Sequence, residues 1–365
     1  MCESRLLLSK ERLLHNLTYI RSYLHNDTKI LVNLKANAYG HGARLIGLFL
    51  QDKADYFSVA CQKEGEDLRQ AGIQTPLLVY NPPVDWNADF FASRLEPVLY
   101  DIEQAESLIS FLKENRLTGI KVHVKLDTGM HRSGLMPGKA NRMISLLKTN
   151  DRTELVSVFS HLAAADDPSE DDFTLHQLRV FRELSARFYE VNHRIIRHIA
   201  NSSAVFRLPE TRFDMVRPGL SVYGISPVEG KPDNMLKPVA RWVTRITQIR
   251  RIKKGETVGY NRRFKAARDS IIALIPVGYG DGYKRTLGNG VGQVTVHGKR
   301  VPVIGKVNMD MLTLDVTDVE ANTGDEVVLF GDAPRVKELA RLAGTIPYEI
   351  TASLTQRVKR MWQTF

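Results

Sequence analysis

The residue with the clearest chemical potential is a lysine that ends a predicted strand. The apolar strand Lys29–Lys35 closes on Lys35, and the following segment, Ala36–Gly42, is mostly small residues with two glycines. A partly desolvated lysine can lose its proton and form a Schiff base with an aldehyde, which an arginine cannot do. On this spacing alone an ordinary surface lysine beside a loop is the commoner outcome, so the other polar motifs must decide.

Four further polar motifs come at the ends of later predicted strands. They are Asp127–Gly134, Ser160-His161, His198–Ser203 and Val216–Leu220. Turns of this kind, with Asn-Ser-Ser or a glycine after a strand, offer backbone N–H groups to a phosphate. A phosphate-bearing aldehyde captured by Lys35 indicates pyridoxal 5′-phosphate (PLP).

The elements that position these residues alternate between strands and helices as far as about residue 225. Short Val/Ile/Leu-rich runs, typical of buried parallel strands, predict strands at Lys29–Lys35, Tyr56–Cys61, Leu77–Tyr80, Pro97–Tyr100, Ile120–Asp127, Leu155–His161, Arg197–Asn201 and Met215–Arg217. Helices are predicted at Ala43–Lys53, Ile102–Arg116, Lys139–Lys148 and Asp172–Val191. This order suits a (β/α)8 TIM-type barrel, whose catalytic groups lie at the carboxyl ends of the strands. A doubly wound sheet is the alternative, but the Gly-x-Gly-x-x-Gly turn usual after its first strand is missing.

After Pro227 the pattern changes to alternating segments separated by Gly and Asp turns, as in a compact β domain. Strands are predicted at Trp242–Ile249, Gln293–Val296, Val301–Ile304, Met311–Val316 and Glu326–Phe330, with one helix at Val336–Ala343. The stretches Lys231–Asp233 and Lys237-Pro238 indicate a linker. We therefore predict an α/β barrel domain over residues 1–230 and a C-terminal mainly-β domain over 231–365, with about the first ten residues able to pack with the β domain.

Length and composition are those of an ordinary globular protein. The chain has 365 residues, 43% hydrophobic and 25% charged, which suggests about two domains and excludes disorder, collagen and disulfide scaffolds. No apolar run approaches the ~18–20 residues that span a bilayer, and the N-terminus is not a secretory signal. The lack of such a run leads us to expect no membrane partner. Because only Cys2 and Cys61 are present, without metal-like spacing, we expect no disulfide, no metal site and a cytoplasmic location.

The formal net charge of +10 comes from one segment of the chain. Residues 241–306 carry 15 Lys or Arg and three acidic residues. Such an excess can serve a nucleic acid, an anionic ligand or a partner surface. No helix-turn-helix, zinc-finger or RNP-type motif accompanies it, so we expect no nucleic-acid partner.

A series of motifs resembles that of the bacterial alanine racemases, in the same order and over essentially the whole chain. The lysine motif Lys35–Gly42 is highly specific, whereas Asp127–Met130 alone would be weak. The other matching motifs are Ala200–Ser202, Met215–Gly219, Gly278–Gly282 and Met309-Asp310. The resemblance implies a PLP-binding barrel, a β domain and a homodimer whose active site is shared between subunits, which agrees with the architecture predicted above.

The resemblance implies two catalytic bases, Lys35 and Tyr260. Lys35 would form the Schiff base with PLP, and Tyr260, in the β domain, would reach the partner subunit's active site. Racemisation needs such a pair, because one group removes the α-proton from one face of the substrate and another returns a proton to the opposite face. A tyrosine is a weak base at its ordinary pKa of ~10, and His161 resembles the histidine that contacts this tyrosine in the family.

Further residues match the cofactor-binding positions of the family. Arg217 matches the residue at the pyridine nitrogen of PLP. An arginine there only donates hydrogen bonds, so the nitrogen must stay unprotonated, which fits racemisation better than transamination. Positions that bind the phosphate are matched by Tyr39, Ser202, Gly219, Leu220 and Tyr348, with Asn201 supporting the loop.

The substrate-binding positions of the family are matched in both domains. Arg132 would contact the PLP phenolic oxygen and the substrate carboxylate, and Met309 of the partner would bind the same carboxylate. Tyr279 and Asp310 would line the mouth of the site. Lys125 matches a lysine that is carbamylated in some family members, where the new carboxylate orients the arginine equivalent to Arg132.

Three places depart from the family pattern. Asn261–Phe264 stands where glycine- and tyrosine-containing versions are common, Asn308 replaces a Ser or Cys, and Gly280 replaces a common alanine. None of them removes a charged or catalytic group. We therefore expect effects on loop geometry and substrate preference rather than on the reaction.

The function implied is the interconversion of L-alanine and D-alanine by a PLP-dependent racemase, an isomerase that supplies D-alanine for cell-wall peptidoglycan. A racemase of another small amino acid such as serine is an alternative, since one methylene or hydroxyl group changes discrimination by only ~1–3 kcal/mol. A related barrel-fold amino-acid decarboxylase is a further alternative. Those relatives typically carry a Gly-Gly-Gly phosphate loop and a cysteine in the β domain, whereas this chain has neither.

Overall fold

The computed structural model describes residues 4–228 and 234–365. Cys2, the predicted linker Lys231–Asp233 and the predicted boundary between residues 230 and 231 lie outside the described residues. The domain boundaries therefore stay a prediction.

The first sheet consists of eight parallel strands, and each predicted strand up to residue 217 is present in it. After β1 (Arg5–Leu8), which belongs to the second sheet, they are β2 (Lys29–Asn33), β3 (Tyr56–Val59), β4 (Leu77–Val79), β5 (Glu96–Leu99), β6 (Ile120–Lys125), β7 (Thr153–Phe159), β8 (Ile196–His198) and β9 (Met215–Val216). Their hydrogen-bonded order is β8-β7-β6-β5-β4-β3-β2-β9. Both faces of these strands are covered, which is why they read as apolar runs in the sequence.

The barrel is nearly closed between β8 and β9. The Asp214 N–H donates to the Arg197 carbonyl, and the Arg217 N–H donates to the Ala200 carbonyl, both at 3.0 Å. The carboxyl ends of the eight strands consequently surround one rim, where barrel enzymes carry their chemistry.

Helices follow most of the barrel strands, and the four predicted ones are present with ends shifted by no more than four residues. The helices of this part of the chain are α1 (Lys10–Arg21), α2 (Lys35–Tyr39), α3 (Ala43–Leu50), α4 (Gln62–Gln70), α5 (Ala88–Ala92), α6 (Ile102–Glu114), α7 (Ala140–Thr149), α8 (Asp171–Arg187) and α9 (Ser202–Arg207). In α6 the buried residues Ile102, Ala105, Leu108 and Leu112 recur every three or four positions, so they form one apolar face against the barrel.

The second sheet has nine strands within the described residues, and its first and last strands in chain order are β1 and β19. Its strands after β1 are β10 (Ala240–Arg245), β11 (Gln248–Ile252), β14 (Ser270–Ile275), β15 (Gln293–Val296), β16 (Lys299–Ile304), β17 (Leu312–Asp315), β18 (Glu326–Phe330) and β19 (Lys359–Trp362), and β12 (Thr257–Val258) pairs separately with β13 (Phe264–Lys265). Two helices, α10 (Val336–Ala343) and α11 (Pro347–Ala352), accompany it. β1 pairs with β10 and with β19. The predicted fold class, a (β/α)8 barrel followed by a mainly-β domain, is confirmed.

The prediction of a single strand over Trp242–Ile249 is wrong, because this segment contributes to two strands, β10 and β11. β10 pairs with β18 and β11 pairs with β14. Between them, Ile246 donates to the Asp325 carbonyl and Thr247 to the Leu274 carbonyl, each at 2.9 Å. The chain therefore changes its pairing partner at these two residues, and an alternation of side chains along the sequence does not reveal such a change.

The C-terminal segment packs on the loop that follows Lys35. The Arg360 guanidinium, on β19, donates to the Gly40 carbonyl at 3.1 Å. Gly40 has a φ of +85°, and a Cβ there would lie 1.9 Å from the Thr351 carbonyl oxygen on α11, so only glycine fits. This close approach brings the Tyr348 ring to 5.7 Å from the ring of Tyr39.

Candidate active site

Lys35 lies at the carboxyl end of β2, where α2 is a short left-handed turn rather than a regular α-helix. The four residues Ala36–Tyr39 have φ values between 50° and 55°, a conformation that costs roughly 1–2 kcal/mol for each residue with a Cβ. The Glu64 carboxylate supports the turn by accepting hydrogen bonds from the N–H groups of Ala36 and Ala60, both at 2.7 Å. Strain of this kind is characteristic of functional sites.

Positive charge is concentrated around Lys35. Burial lowers the pKa of Lys35, and the charges of Arg132 and Arg217 lower it further, whereas the Glu64 carboxylate opposes this change. A lysine in such surroundings releases its proton more readily than one in water. The same charges attract anionic ligands.

Lys125, at the end of β6, faces the same cluster. Its side chain is buried and its ammonium group donates a hydrogen bond to the Ser133 hydroxyl. Burial, with the charges of Arg132 and Arg217, lowers the pKa of Lys125 to about 8. A substantial fraction of this lysine is therefore neutral in mildly alkaline solution.

Arg132 lies on an exposed loop that is folded around Asp127. The Asp127 carboxylate accepts from the N–H groups of Gly129 at 2.9 Å and His131 at 3.1 Å. A Cβ on Gly134 would lie 2.6 Å from the Asp127 nitrogen, so the loop returns to the strand at a glycine. The Asp127 motif thus shapes the backbone that presents Arg132.

Arg217 is buried directly after β9 and holds two histidines. Its guanidinium donates to His198 Nδ1 at 2.8 Å, to His161 Nδ1 at 3.2 Å and to the Ser160 carbonyl at 2.7 Å. Burial and the charge of Arg217 hold the pKa of each histidine well below its usual range. Both imidazoles are therefore neutral, and each accepts a hydrogen bond from Arg217 through Nδ1.

A second group of predicted residues meets beside Tyr39. The Gly219 N–H donates to the Ser202 hydroxyl at 2.8 Å, and a Cβ on Gly219 would lie 2.8 Å from the Tyr39 phenolic oxygen. Asn201 caps α9, its side chain accepting from the Ala204 N–H at 3.0 Å.

Two further phosphate-site candidates complete this group. Leu220 is buried next to Gly219. The Tyr348 ring lies beside the ring of Tyr39, so it comes from the C-terminal segment rather than from the barrel. The structure consequently brings all the predicted barrel residues to one rim.

Three other predicted residues of the β domain are exposed and, unlike Tyr348, make no direct contact with the centre of the rim. Tyr260, after β12, is 69% exposed, Met309 is 54% exposed and Tyr279 is 43% exposed. Within residues 4–228 and 234–365 of this single chain, no hydrogen bond, ion pair or ring contact joins these three side chains to Lys35 or Arg217.

Gly280, one of the departures from the family pattern, leaves room for an arginine. A Cβ at this position would lie 2.6 Å from Arg357 Nη1. The same guanidinium pairs with Asp310 at 2.8 Å and with the buried Asp281 at 3.2 Å. The glycine therefore permits Arg357 to bridge the two carboxylates.

The other two departures from the family pattern, Asn261–Phe264 and Asn308, also differ from ordinary residues in their backbone or hydrogen bonding. Asn261 and Arg262, directly after Tyr260, have φ values of 59° and 51°. Asparagine tolerates this left-handed region better than most residues. The side-chain oxygen of Asn308 is buried without a hydrogen-bond partner.

Two residues of the site were missed in the sequence. Lys35 Nζ lies 5.5 Å from the centre of the Tyr80 ring, and the Tyr80 hydroxyl donates to the Asn33 side chain at 3.1 Å. Glu64, which supports the turn after Lys35, lies on α4. Tyr80 could have been found because it ends a predicted strand at the same rim, whereas nothing in the local sequence marks Glu64.

Metal-binding clusters and membrane-spanning helices are absent from residues 4–228 and 234–365. No group of three or more His, Cys, Asp or Glu side chains there is arranged to hold a metal ion. No helix in the same ranges is long and apolar enough to cross a bilayer. Cys61 is an exposed free thiol.

Comparison with protein families gives two matches that together cover most of the chain. Residues 8–227 match the family described as alanine racemase, N-terminal domain. Residues 239–362 match the alanine racemase, C-terminal domain.

Individual proteins show the same similarity over their full length. The chain is 38% identical to the alanine racemase of Sorangium cellulosum, with 100% of both chains covered, and 35% identical to that of Helicobacter pylori strain J99, with 95% of this chain and 96% of the relative covered. Among solved structures, the alanine racemase of Clostridium difficile 630 has a TM-score of 0.91 at 30% identity, covering 100% of this chain and 96% of that one.

Proposed function

The chain belongs to the alanine racemase family of PLP-dependent enzymes, and we propose that it interconverts L-alanine and D-alanine with Lys35 and Tyr260 as the two bases. The observation that carries this proposal is Lys35 itself, a half-buried lysine of lowered pKa at the barrel rim. The D-alanine formed would supply peptidoglycan. The sparse use of cysteine supports a cytoplasmic location.

The residues at the rim fit PLP. Lys35 provides an amine for the aldehyde, and the cationic cluster around it suits an anionic cofactor. Gly219 lacks the Cβ that would meet the Tyr39 hydroxyl, so the backbone and the hydroxyl can both approach a phosphate. That phosphate would be held by six residues, Tyr39, Asn201, Ser202, Gly219, Leu220 and Tyr348.

Lys35 acts on one face of the substrate. When bound, PLP supplies an aldehyde for amines and an electron-withdrawing ring that makes the α-proton of an attached amino acid acidic. Because burial and Arg132 lower the pKa of Lys35, its Nζ would be available as a neutral amine to bind the aldehyde. With substrate bound, the free Nζ would accept the α-proton from one face or return a proton to it.

Tyr260 acts on the opposite face, from the partner subunit. Its exposure in the single chain fits a residue that a second subunit covers, which supports the homodimer. His161 accepts from Arg217 through Nδ1, so its Nε2–H is free to donate to the phenolic oxygen of Tyr260. Such a donor stabilises the phenolate that a tyrosine base requires.

Arg217 would bind the ring end of the cofactor. Its guanidinium is always charged and only donates hydrogen bonds, so it would hold a pyridine nitrogen in the unprotonated, accepting form. A ring held in this way would withdraw electrons less strongly, which would disfavour transamination.

The substrate carboxylate would be held from both domains. Arg132 at the barrel rim and Met309 of the partner subunit would bind it, and Tyr279 and Asp310 would line the mouth of the site. Lys125 has a pKa of about 8, so its neutral amine can react with carbon dioxide. We propose that the resulting carbamate orients Arg132.

The test is a chiral amino-acid assay with bound-cofactor spectroscopy. The purified protein should carry PLP absorbance, borohydride should fix the cofactor onto the peptide containing Lys35, and L-alanine should give D-alanine. A panel that includes serine establishes the substrate preference. Absence of bound PLP together with absence of L-to-D exchange would overturn the proposal.

A further inference from the structure

A chain of four hydrogen bonds crosses the barrel interior and ends at Arg217. We name it the Glu96 relay, and its members are Glu96, His123, Ser157, His198 and Arg217. The distances are 2.9 Å from Glu96 Oε2 to His123 Nε2, 2.6 Å from His123 Nδ1 to Ser157 Oγ, 2.9 Å from Ser157 Oγ to His198 Nε2, and 2.8 Å from His198 Nδ1 to Arg217 Nη1.

The relay is a built feature of the barrel rather than a surface cluster. Its members come in order from β5, β6, β7 and β8 and from the residue directly after β9. The three middle members, His123, Ser157 and His198, are completely buried. Buried polar side chains in otherwise apolar strands are costly unless each of them is hydrogen-bonded.

The direction of every hydrogen bond follows from Arg217. A guanidinium only donates, so His198 Nδ1 accepts and the single proton of the neutral imidazole lies on Nε2. That proton is donated to Ser157, whose own hydroxyl proton then goes to His123 Nδ1. The proton of His123 consequently lies on Nε2 and is donated to the Glu96 carboxylate. Each hydrogen bond of the relay therefore contains one proton, and no proton of the relay lacks an acceptor.

The relay also connects two opposite charges. No carboxylate within the described residues pairs directly with the buried guanidinium of Arg217, whose partners are imidazoles, main-chain carbonyls and the Tyr80 hydroxyl. A buried charge without compensation is unfavourable. The relay places the negative Glu96 at its far end, and its aligned dipoles all point the same way, so that each bond strengthens the next.

We propose that Glu96, His123 and Ser157 are positioning residues for Arg217. They hold His198 in the tautomer that always accepts from Arg217, and this keeps the guanidinium aimed at the cofactor. The inference rests on the proposed function, because the target of Arg217 is the pyridine nitrogen of PLP. None of the three is among the residues proposed to hold the cofactor or the substrate.

The first experiment reads the tautomers directly. Protein labelled with 15N-histidine is examined by long-range 1H–15N correlation spectra, both without PLP and as the PLP-loaded enzyme. His123 and His198, assigned by His→Gln substitution at each position, should both carry their proton on Nε2 in both forms. A proton on Nδ1 of His198 in either form would overturn the relay without any further variant.

The second experiment cuts the relay at its centre. Ser157→Ala removes the acceptor for His198 and the donor to His123 with little change in volume, and Ser157→Thr restores the hydroxyl. Ser185→Ala is the matched control, because Ser185 is a buried serine on α8 whose hydroxyl faces only its own helix. We expect the loss of a buried hydrogen-bond partner of this kind to change the measured kcat about tenfold.

For Ser157→Ala we expect kcat to fall about tenfold with KM within about twofold, and pyruvate formed per racemisation turnover to rise about tenfold. We expect the His198 signal to become a mixture of tautomers even in the protein without PLP. Ser157→Thr should recover the wild-type values, and Ser185→Ala should retain them. Unchanged tautomers and an unchanged pyruvate ratio in Ser157→Ala would refute the relay, whereas a wild-type protein that neither binds PLP nor racemises alanine would refute the proposed function instead.

Discussion

The barrel rim and the exposed face of the β domain supply two unequal halves of the proposed site. At the rim, Lys35 and Arg217 influence each other within one chain, and Arg217 is hydrogen-bonded to the buried His198. On the β domain, Tyr260 and Met309 are more than half exposed and have no such partners at the rim. The rim is therefore organised by folding, whereas the second half of the site depends on assembly.

This difference has a physical origin in the topology. Parallel strands bring their carboxyl ends to one edge, so polar residues that are distant in sequence converge once the barrel closes. A β domain at the other end of the chain can face its own barrel or that of a second copy. In a two-fold symmetric dimer each subunit can complete the other's site.

The largest effect is expected at the organised half. Lys35→Ala removes the amine that holds PLP and one of the two bases, so racemisation should fall by about 10⁴-fold or more. Borohydride should no longer attach the cofactor. Lys113→Ala, at an exposed lysine in the last turn of α6, is the control and should retain full activity. Racemisation by Lys35→Ala at more than a hundredth of the wild-type rate would exclude Lys35 as a base.

A smaller loss is expected at the half that depends on assembly. Tyr260→Phe removes one base and should lower racemisation by about 10²- to 10³-fold, because only the face served by Lys35 still exchanges its proton. Deuterium exchange into one antipode should therefore survive. Tyr189→Phe serves as the control, because the half-buried Tyr189 ring contacts Arg197 rather than any residue of the proposed site. If Tyr260→Phe racemises at the wild-type rate, the two-base assignment is wrong.

Mixing the two inactive variants tests whether the halves come from different subunits. When Lys35→Ala and Tyr260→Phe proteins are unfolded together and refolded, half of the dimers are mixed and each contains one intact shared site. About a quarter of the wild-type activity should return. A site formed within one chain would never combine Lys35 with Tyr260 in this mixture, and no activity would return.

A moderate effect on cofactor affinity is expected within the rim. Gly219→Ala places a Cβ 2.8 Å from the Tyr39 hydroxyl, which must then move away from the phosphate. The dissociation constant for PLP, measured by fluorescence quenching, should rise about tenfold, corresponding to ~1.4 kcal/mol. Gly138→Ala is matched, because a Cβ there meets nothing within 4 Å. Equal PLP affinities of the two variants would show that Gly219 and Tyr39 do not belong to the phosphate site.

The smallest effect is a dependence of stability on pH. The pKa of Lys125 is about 8 in the folded chain and 10.5 without the fold, so the unfolded chain binds more protons between these values and stability rises with pH. In carbonate-free urea titrations without PLP, the free energy of unfolding should rise between pH 8 and about 10 by less than ~2 kcal/mol relative to Lys125→Met. Lys121→Met, at the exposed lysine of the same strand, should follow the wild type. Parallel curves for wild type and Lys125→Met would place Lys125 outside the cationic cluster.

Most of the barrel could be predicted because its strands and their last residues obey local rules. Lys35 and His161 were found as polar residues at the ends of apolar runs, and the structure brings both to the rim that contains Arg217. The strand Trp242–Ile249 was wrong because hydrogen-bond partners, not side-chain alternation, decide where a strand ends. Glu64 was missed because its role depends on backbone N–H groups from two separate loops.

The sequence by itself determined the two-part architecture, the family and the residues that can do chemistry, since these depend on residue types, their periodicity and their order. Only the tertiary structure decided how those residues act on one another. Burial and neighbouring charges lower the pKa of Lys35, and close packing joins Glu96 to Arg217 through His123, Ser157 and His198. Such effects depend on distances between strands that are far apart in sequence, and these distances exist only after the barrel has closed.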